Sequence, residues 1–252
     1  MTTADASILV EACVDSVASS IAAERGGARR VELCDALFDG GTTPSAGMIA
    51  ACKEMLSIPV FVMIRPRGGG FVYSDAERDV MRRDVIIARE IGADGMVVGG
   101  LCPDGTVDLA LVQDLADAAR GLPLSFHRAF DFTPDLAASL ELLADAGVGR
   151  VLTSGGAPTA AEGATVIADL VRQAGARIVV IAGGGIREEN VRALTSASGV
   201  REVHVRLTTL RQSGESSARR GLRVRKALPD DEAAFEETDM QRVQSFVRTI
   251  AG

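Results

Sequence analysis

Eight short apolar runs, separated by seven longer amphipathic stretches, follow one another along this chain, and few folds accommodate that rhythm. The apolar runs fall at 8–14, 30–35, 59–65, 95–99, 124–130, 150–154, 177–182 and 202–206. The helix-like stretches between them lie near 16–25, 44–56, 75–91, 108–119, 135–146, 160–174 and 187–197. Asp15-Ser16, Thr43-Pro44, Ser74-Asp75 and Thr133-Pro134 supply start signals, and Gly92 and Gly147 supply stops.

Apolar strands that alternate with helices become parallel strands covered on their outer face. Eight of them in 252 residues match the count and size of a (β/α)₈ TIM-type barrel. A doubly wound open sheet is the rival, but the first strand lacks the Gly-x-Gly-x-x-Gly turn of the dinucleotide-binding version. Hydrophobic residues make up 47% of the chain, enough for one large core. The reading is a single α/β domain: a barrel core over 8–206, an extended connection over 207–235, and a closing helix over 236–251.

The connection is polar, basic at Arg211, Arg219, Arg220, Arg223, Arg225 and Lys226, then acidic at Asp230, Asp231 and Glu232. A segment this long is either functional or a solvated surface loop. It is also the candidate surface for a homodimer.

A net charge of −7 argues against nucleic acid or an anionic membrane as partner. No apolar run approaches the roughly 20 residues of a membrane span, and Met1-Thr2-Thr3-Ala4-Asp5 lacks the basic start of a signal peptide. The expected location is cytoplasmic, so Cys13, Cys34, Cys52 and Cys102 read as reduced thiols rather than disulfides. None forms a Cys-x-x-Cys pair, which argues against structural zinc.

Barrel chemistry comes from the C-terminal ends of the strands. Those ends carry Glu11, Cys13, Glu32, Cys34, Arg65, His127, Asp131 and His204. Each of the first two strands holds a Glu-x-Cys triplet, and period-two geometry turns each Glu the same way as its Cys. Charges inside apolar strands are costly unless paired. Glu11, Glu32, Arg65, His127, Asp131 and His204 therefore read as catalytic groups converging on the barrel mouth. Arg65 could grip a carboxylate or phosphate, and either histidine could move a proton near neutral pH. Asp131, four residues past His127 on one strand, suits positioning a neighbouring loop. The alternative is an internal salt-bridge layer of Glu11 and Glu32 with Arg65. Gly183-Gly184-Gly185 resembles half of a barrel phosphate site, though a tight turn explains it as well. Gly68-Gly69-Gly70-Phe71 could close over a ligand or simply reach the next helix.

The chain also resembles the CutC family, known as copper homeostasis proteins. The resemblance is carried by Glu-Ala-Cys-Val-Asp-Ser (11–16), Arg-Val-Glu-Leu-Cys (30–34) and Gly-Gly-Thr-Thr-Pro-Ser-Ala-Gly (40–47). Arg-Pro-Arg-Gly-Gly (65–69), Phe-His-Arg-Ala-Phe-Asp (126–131), Ala-Gly-Gly-Gly-Ile-Arg (182–187) and Arg-Glu-Val-His (201–204) extend it in order. It implies a cytoplasmic barrel that binds copper, as Cu(I). Two positions depart from the pattern: Gly70 replaces an acid, and Arg206 stands where small residues are expected.

Cu(I) favours thiolates, and Cys13 and Cys34 lie on strands expected to be neighbours about 4.8 Å apart. They could ligate one ion, with His127 or His204 completing the set, or they could be packed as small hydrophobes. Three readings follow: a copper-binding protein, a barrel enzyme acting on a small anionic metabolite by proton transfer, and a scaffold with a vestigial site.

Overall fold

The computed structural model describes residues 8–213 and 233–251. Eight parallel strands close into a barrel: β1 (Leu9–Val14), β2 (Arg30–Leu33), β3 (Val60–Met63), β4 (Gly95–Val98), β5 (Leu124–Phe126), β6 (Arg150–Thr153), β7 (Val179–Gly183) and β8 (Glu202–Val205). Closure runs through β1 and β8, where Leu9 lies opposite Glu202 and Glu11 opposite His204. Helices α1 (Val17–Arg25), α2 (Ala46–Met55), α3 (Asp75–Ile91), α4 (Leu109–Ala119), α5 (Leu136–Asp145), α6 (Ala164–Ala174) and α7 (Glu188–Ser198) follow the first seven strands. The expected (β/α)₈ barrel is the observed fold.

Side chains that alternate along each strand divide the core in two. Outward residues such as Val31, Leu33, Val62, Ile64, Phe126 and Val151 pack with Ile49, Met81, Leu115 and Leu140 from the helices. Inside the barrel a smaller apolar group holds Cys13, Cys34, Phe61, Met63 and Val97. Helix starts are set by short polar side chains: the Ser16 and Ser45 hydroxyls accept from Ser19 and Met48 amides. Ser74 and Glu77 form a reciprocal capping box at α3.

Two elements differ from the sequence reading. The fifth strand stops at Phe126, and Arg128–Phe132 form a 3₁₀ turn. The cause is local: His127 Nδ1 accepts the Ala129 amide at 3.1 Å, and its carbonyl accepts from Phe130. Asp131 is thus a turn residue and does not share a strand with His127. Beyond β8 the chain forms β9 (Thr208–Gln212), paired antiparallel with β10 (Ala234–Thr238). The last helix, α8 (Met240–Ala251), therefore begins after 238 rather than at 236. It fills the outer ring between α1 and α7. The charged run from Arg219 to Glu232 lies outside the described residues. None of the described helices is long and apolar enough to cross a membrane.

Candidate functional site

The C-terminal ends of the strands surround a cavity of about 710 Å³, open to solvent. Cys13, Glu32, Arg65, His127, Arg128 and His204 line it, together with the first residues of α7. Glu11 lies deeper, one layer below the mouth, and is 1% exposed.

That deeper layer is ionic. Glu11 Oε2 accepts from Arg30 Nε at 2.5 Å, Arg30 Nη2 reaches Glu202 at 2.5 Å, and Arg150 Nε stands 3.5 Å from Glu202. The two guanidinium groups lie 5.1 and 5.2 Å from the Phe61 ring centroid. A salt-bridge layer exists, but Arg30 serves it, not Arg65. Strand parity carried the signal: Arg30, Glu32 and Cys34 alternate with outward residues, so all three face inward. Reading only strand ends passed over Arg30, Arg150 and Glu202, which open their strands.

Above this layer β1, β2 and β8 bring together two thiols, a carboxyl and an imidazole. Glu32 Oε1 accepts from Cys34 Sγ at 3.4 Å and Cys13 Sγ at 3.7 Å, and lies 3.8 Å from His204 Nε2. One donor atom each from Cys13, Glu32 and His204 falls within 4.8 Å of the others. The other face of His204 is held by Glu11, with Nδ1 to Oε1 at 2.7 Å.

The charge states follow from this geometry. Burial pushes the Glu11 carboxyl up, but the His204 hydrogen bond and the Arg30 charge outweigh it and hold the group near about 2. Burial raises Glu32 to about 8 despite the opposing charge of His204. Burial lowers the His204 pKa, yet Glu32 and hydrogen bonds to Cys13 and Glu11 carry it well above its usual value. Of the thiols, Cys13 is lowered by the hydrogen bond from Cys34, against its burial, and Cys34 is raised by the same bond.

The opposite wall comes from β3, β5 and the loops after them. Arg65 Nη1 donates to the carbonyls of Asp39 and Gly41 at 2.9 and 2.8 Å, and Nη2 to Gly69 at 2.7 Å. It clasps two loops and pairs with neither Glu11 nor Glu32. His127 packs tilted against Phe71, ring centroids 5.1 Å apart, over Gly99, where any Cβ would strike the imidazole at 2.3 Å. It stays out of the thiol cluster. Asp131 does not line the cavity but holds Arg128, which does. Its carboxylate accepts from Arg128 Nε at 2.8 Å, Thr153 Oγ1 at 2.5 Å and the Ser154 and Gly156 amides at 3.1 Å. The sequence reading names the 68–71 loop but not the contact of Phe71 with both Arg65 and His127.

Fold and site together define a (β/α)₈-barrel protein with a thiol, imidazole and carboxyl cluster at the base of an open pocket. The CutC family model matches residues 8–209, and the chain belongs to that family. The mouse copper homeostasis protein cutC homolog is 46% identical over 94% of this chain and 88% of its own length. A CutC family protein of Xanthomonas campestris is 44% identical over 96% of this chain and 98% of its own. The crystal structure of a CutC protein from Streptococcus agalactiae superposes with a TM-score of 0.76 at 38% identity, covering 78% of this chain and 97% of that one.

Proposed function

We propose that the protein binds one Cu(I) ion between β1, β2 and β8, in keeping with the copper homeostasis names of its relatives. The observation that carries this reading is the convergence of Cys13, Glu32 and His204 donors within 4.8 Å. Sulfur and imidazole donors suit a soft monovalent ion. Cys34, bonded to the same Glu32 oxygen, is the second thiol within the cluster. Glu11 would fix the imidazole so that Nε2 faces the ion, as outer hydrogen bonds commonly do for ligating histidines.

Anaerobic titration with Cu(I) against a competing chelator tests this. One tight equivalent, weakened at least tenfold by Cys13→Ser and by His204→Gln, is expected. Weak binding indifferent to both substitutions would sink it.

One observation favours a second reading, an enzyme acting on a small anion. A cavity of about 710 Å³ far exceeds one ion and lies in the size range of small-molecule sites. In this reading Glu32 and His204 exchange a proton with the substrate, and Glu11 positions His204. Arg65 and His127 face the anion, while Asp131 positions Arg128 and Ser154. A metabolite screen with His204→Gln as the inactive control tests it.

A further inference from the structure

Among the described residues, four buried side-chain nitrogen or oxygen atoms have no hydrogen-bond partner: Arg65 Nε, Tyr73 Oη, His127 Nε2 and Arg150 Nε. Arg150 Nε at least stands 3.5 Å from the Glu202 carboxylate. Arg65 and His127 line one wall of the cavity, and Tyr73 neighbours Arg65 from the outer core. The Arg65 guanidinium lies 5.2 Å from the Phe71 ring centroid, and the His127 ring packs tilted against the same Phe71 at 5.1 Å. The Tyr73 hydroxyl lies within hydrogen-bonding reach of the Arg65 side chain and feels its charge, so it is the least free of the three.

The proton inventory makes these atoms informative. His127 Nδ1 accepts the Ala129 amide, so a neutral ring carries its single proton on Nε2. Burial and the nearby Arg65 charge keep the ring neutral, its pKa lowered to about 3. Nε2 is therefore a donor with nothing to donate to. Arg65 is 4% exposed and spends its terminal nitrogens on three backbone carbonyls, none on a carboxylate. Its Nε–H is a second idle donor. Folded proteins rarely leave buried donors unanswered, and a buried cation without an anion beside it is costlier still.

We infer that this wall is an oxyanion site: a carboxylate or phosphate oxygen of a small ligand accepts from Arg65 Nε and His127 Nε2, with the Tyr73 hydroxyl beside them. Phe71 covers the donors, and the ligand displaces its ring. The inference deepens the second reading by naming what the cavity recognises, and it shares no residue with the thiol cluster.

The test uses the full chain titrated with malonate, inorganic phosphate and potassium chloride at matched ionic strength. Calorimetry gives affinity, and long-range proton–nitrogen NMR follows the ring nitrogens of the two histidines separately. Arg65 is left in place because it ties two loops together. At least one oxyanion is expected to bind, to move the His127 Nε2 resonance, and to lose tenfold or more in affinity in His127→Phe. Tyr73→Phe should lose about threefold. Malonate alone binding would assign a carboxylate, and phosphate alone a phosphate. Neither anion moving His127 beyond the chloride control, or His127→Phe binding both as tightly, would overturn the site. An anion that moves only His204 would leave the second reading standing and this inference refuted. A cooperative urea unfolding transition in His127→Phe, with a midpoint near that of wild type, confirms that the variant is folded.

Discussion

The two walls of the cavity are built on opposite plans. On the side of β1, β2 and β8, Glu11, Arg30, Glu32 and His204 all answer one another within the protein. On the side of β3 and β5, Arg65 and His127 each keep a buried donor without a partner. The first wall is electrostatically complete on its own, so its removal should be felt as lost stability. The second is complete only when something binds, so its removal should be felt chiefly as lost binding.

The largest effect belongs to the first wall. Arg30→Met leaves the Glu11 and Glu202 carboxylates buried without their shared cation, and breaking one partner of such a pair costs about 3–5 kcal/mol. Urea unfolding at neutral pH should show a loss of that size, whereas His127→Phe should cost less than about 1.5 kcal/mol, as apolar swaps of similar volume do. Equal losses would erase the contrast.

Acid separates the walls next. The folded-state pKa of His127 is depressed from 6.5 to about 3, so its neutral form contributes stability above pH 6.5 that is lost as pH falls toward 3. At about 1.4 kcal/mol per pH unit, the wild type should lose roughly 2–3 kcal/mol between pH 6 and 4 that His127→Phe retains. Glu11, also depressed, adds its loss only below pH 4.5 and down to about 2. Stability curves of the two proteins that stay parallel from pH 6 to 4 would show that His127 is not held neutral.

A smaller effect lies behind the second wall. Asp131 holds Arg128 and the 153–156 loop through one carboxylate. Asp131→Asn removes the charge and one acceptor oxygen, and about 2 kcal/mol should go with them. Thermal unfolding measures it; a change below about 0.5 kcal/mol, the scale of ordinary surface substitutions, would mean that the loop holds itself.

The barrel was legible because its signal is redundant: eight apolar runs each had to find a covered face, and glycines and hydroxyl caps marked the same boundaries. The site was legible in kind but less so in depth. Glu11 and Glu32 both look like strand-end acids. Strand stagger in a closed barrel places Glu11 opposite Arg30 and His204, a layer beneath the mouth, while Glu32 faces the cavity. Arg65 was visible as a cation at the right end, but its three carbonyl partners come from loops whose path local pattern does not specify. The 3₁₀ turn after Phe126 depends on an imidazole accepting an amide two residues on, which composition cannot announce. The hairpin of β9 and β10 joins segments more than twenty residues apart, beyond the reach of period-two patterning.

The smallest effect on stability tests the sharpest part of the contrast. Gly70 lies in the loop after β3, where a Cβ meets nothing within 4 Å and needs no left-handed backbone. Gly70→Asp should therefore change unfolding free energy by less than about 0.5 kcal/mol. Its carbonyl already accepts from Arg67, and its neighbour Gly69 from Arg65, so the new carboxylate enters a loop crowded with cations. A fixed negative charge close to Arg65 competes with any anion the second wall would bind. Malonate or phosphate affinity should then fall several-fold at low salt and recover toward wild type as salt screens the added charge. Tighter anion binding in Gly70→Asp would mean that the acid orders the loop more than it repels the ligand. The second wall would then owe its idle donors to the glycine at position 70 rather than to a waiting ligand.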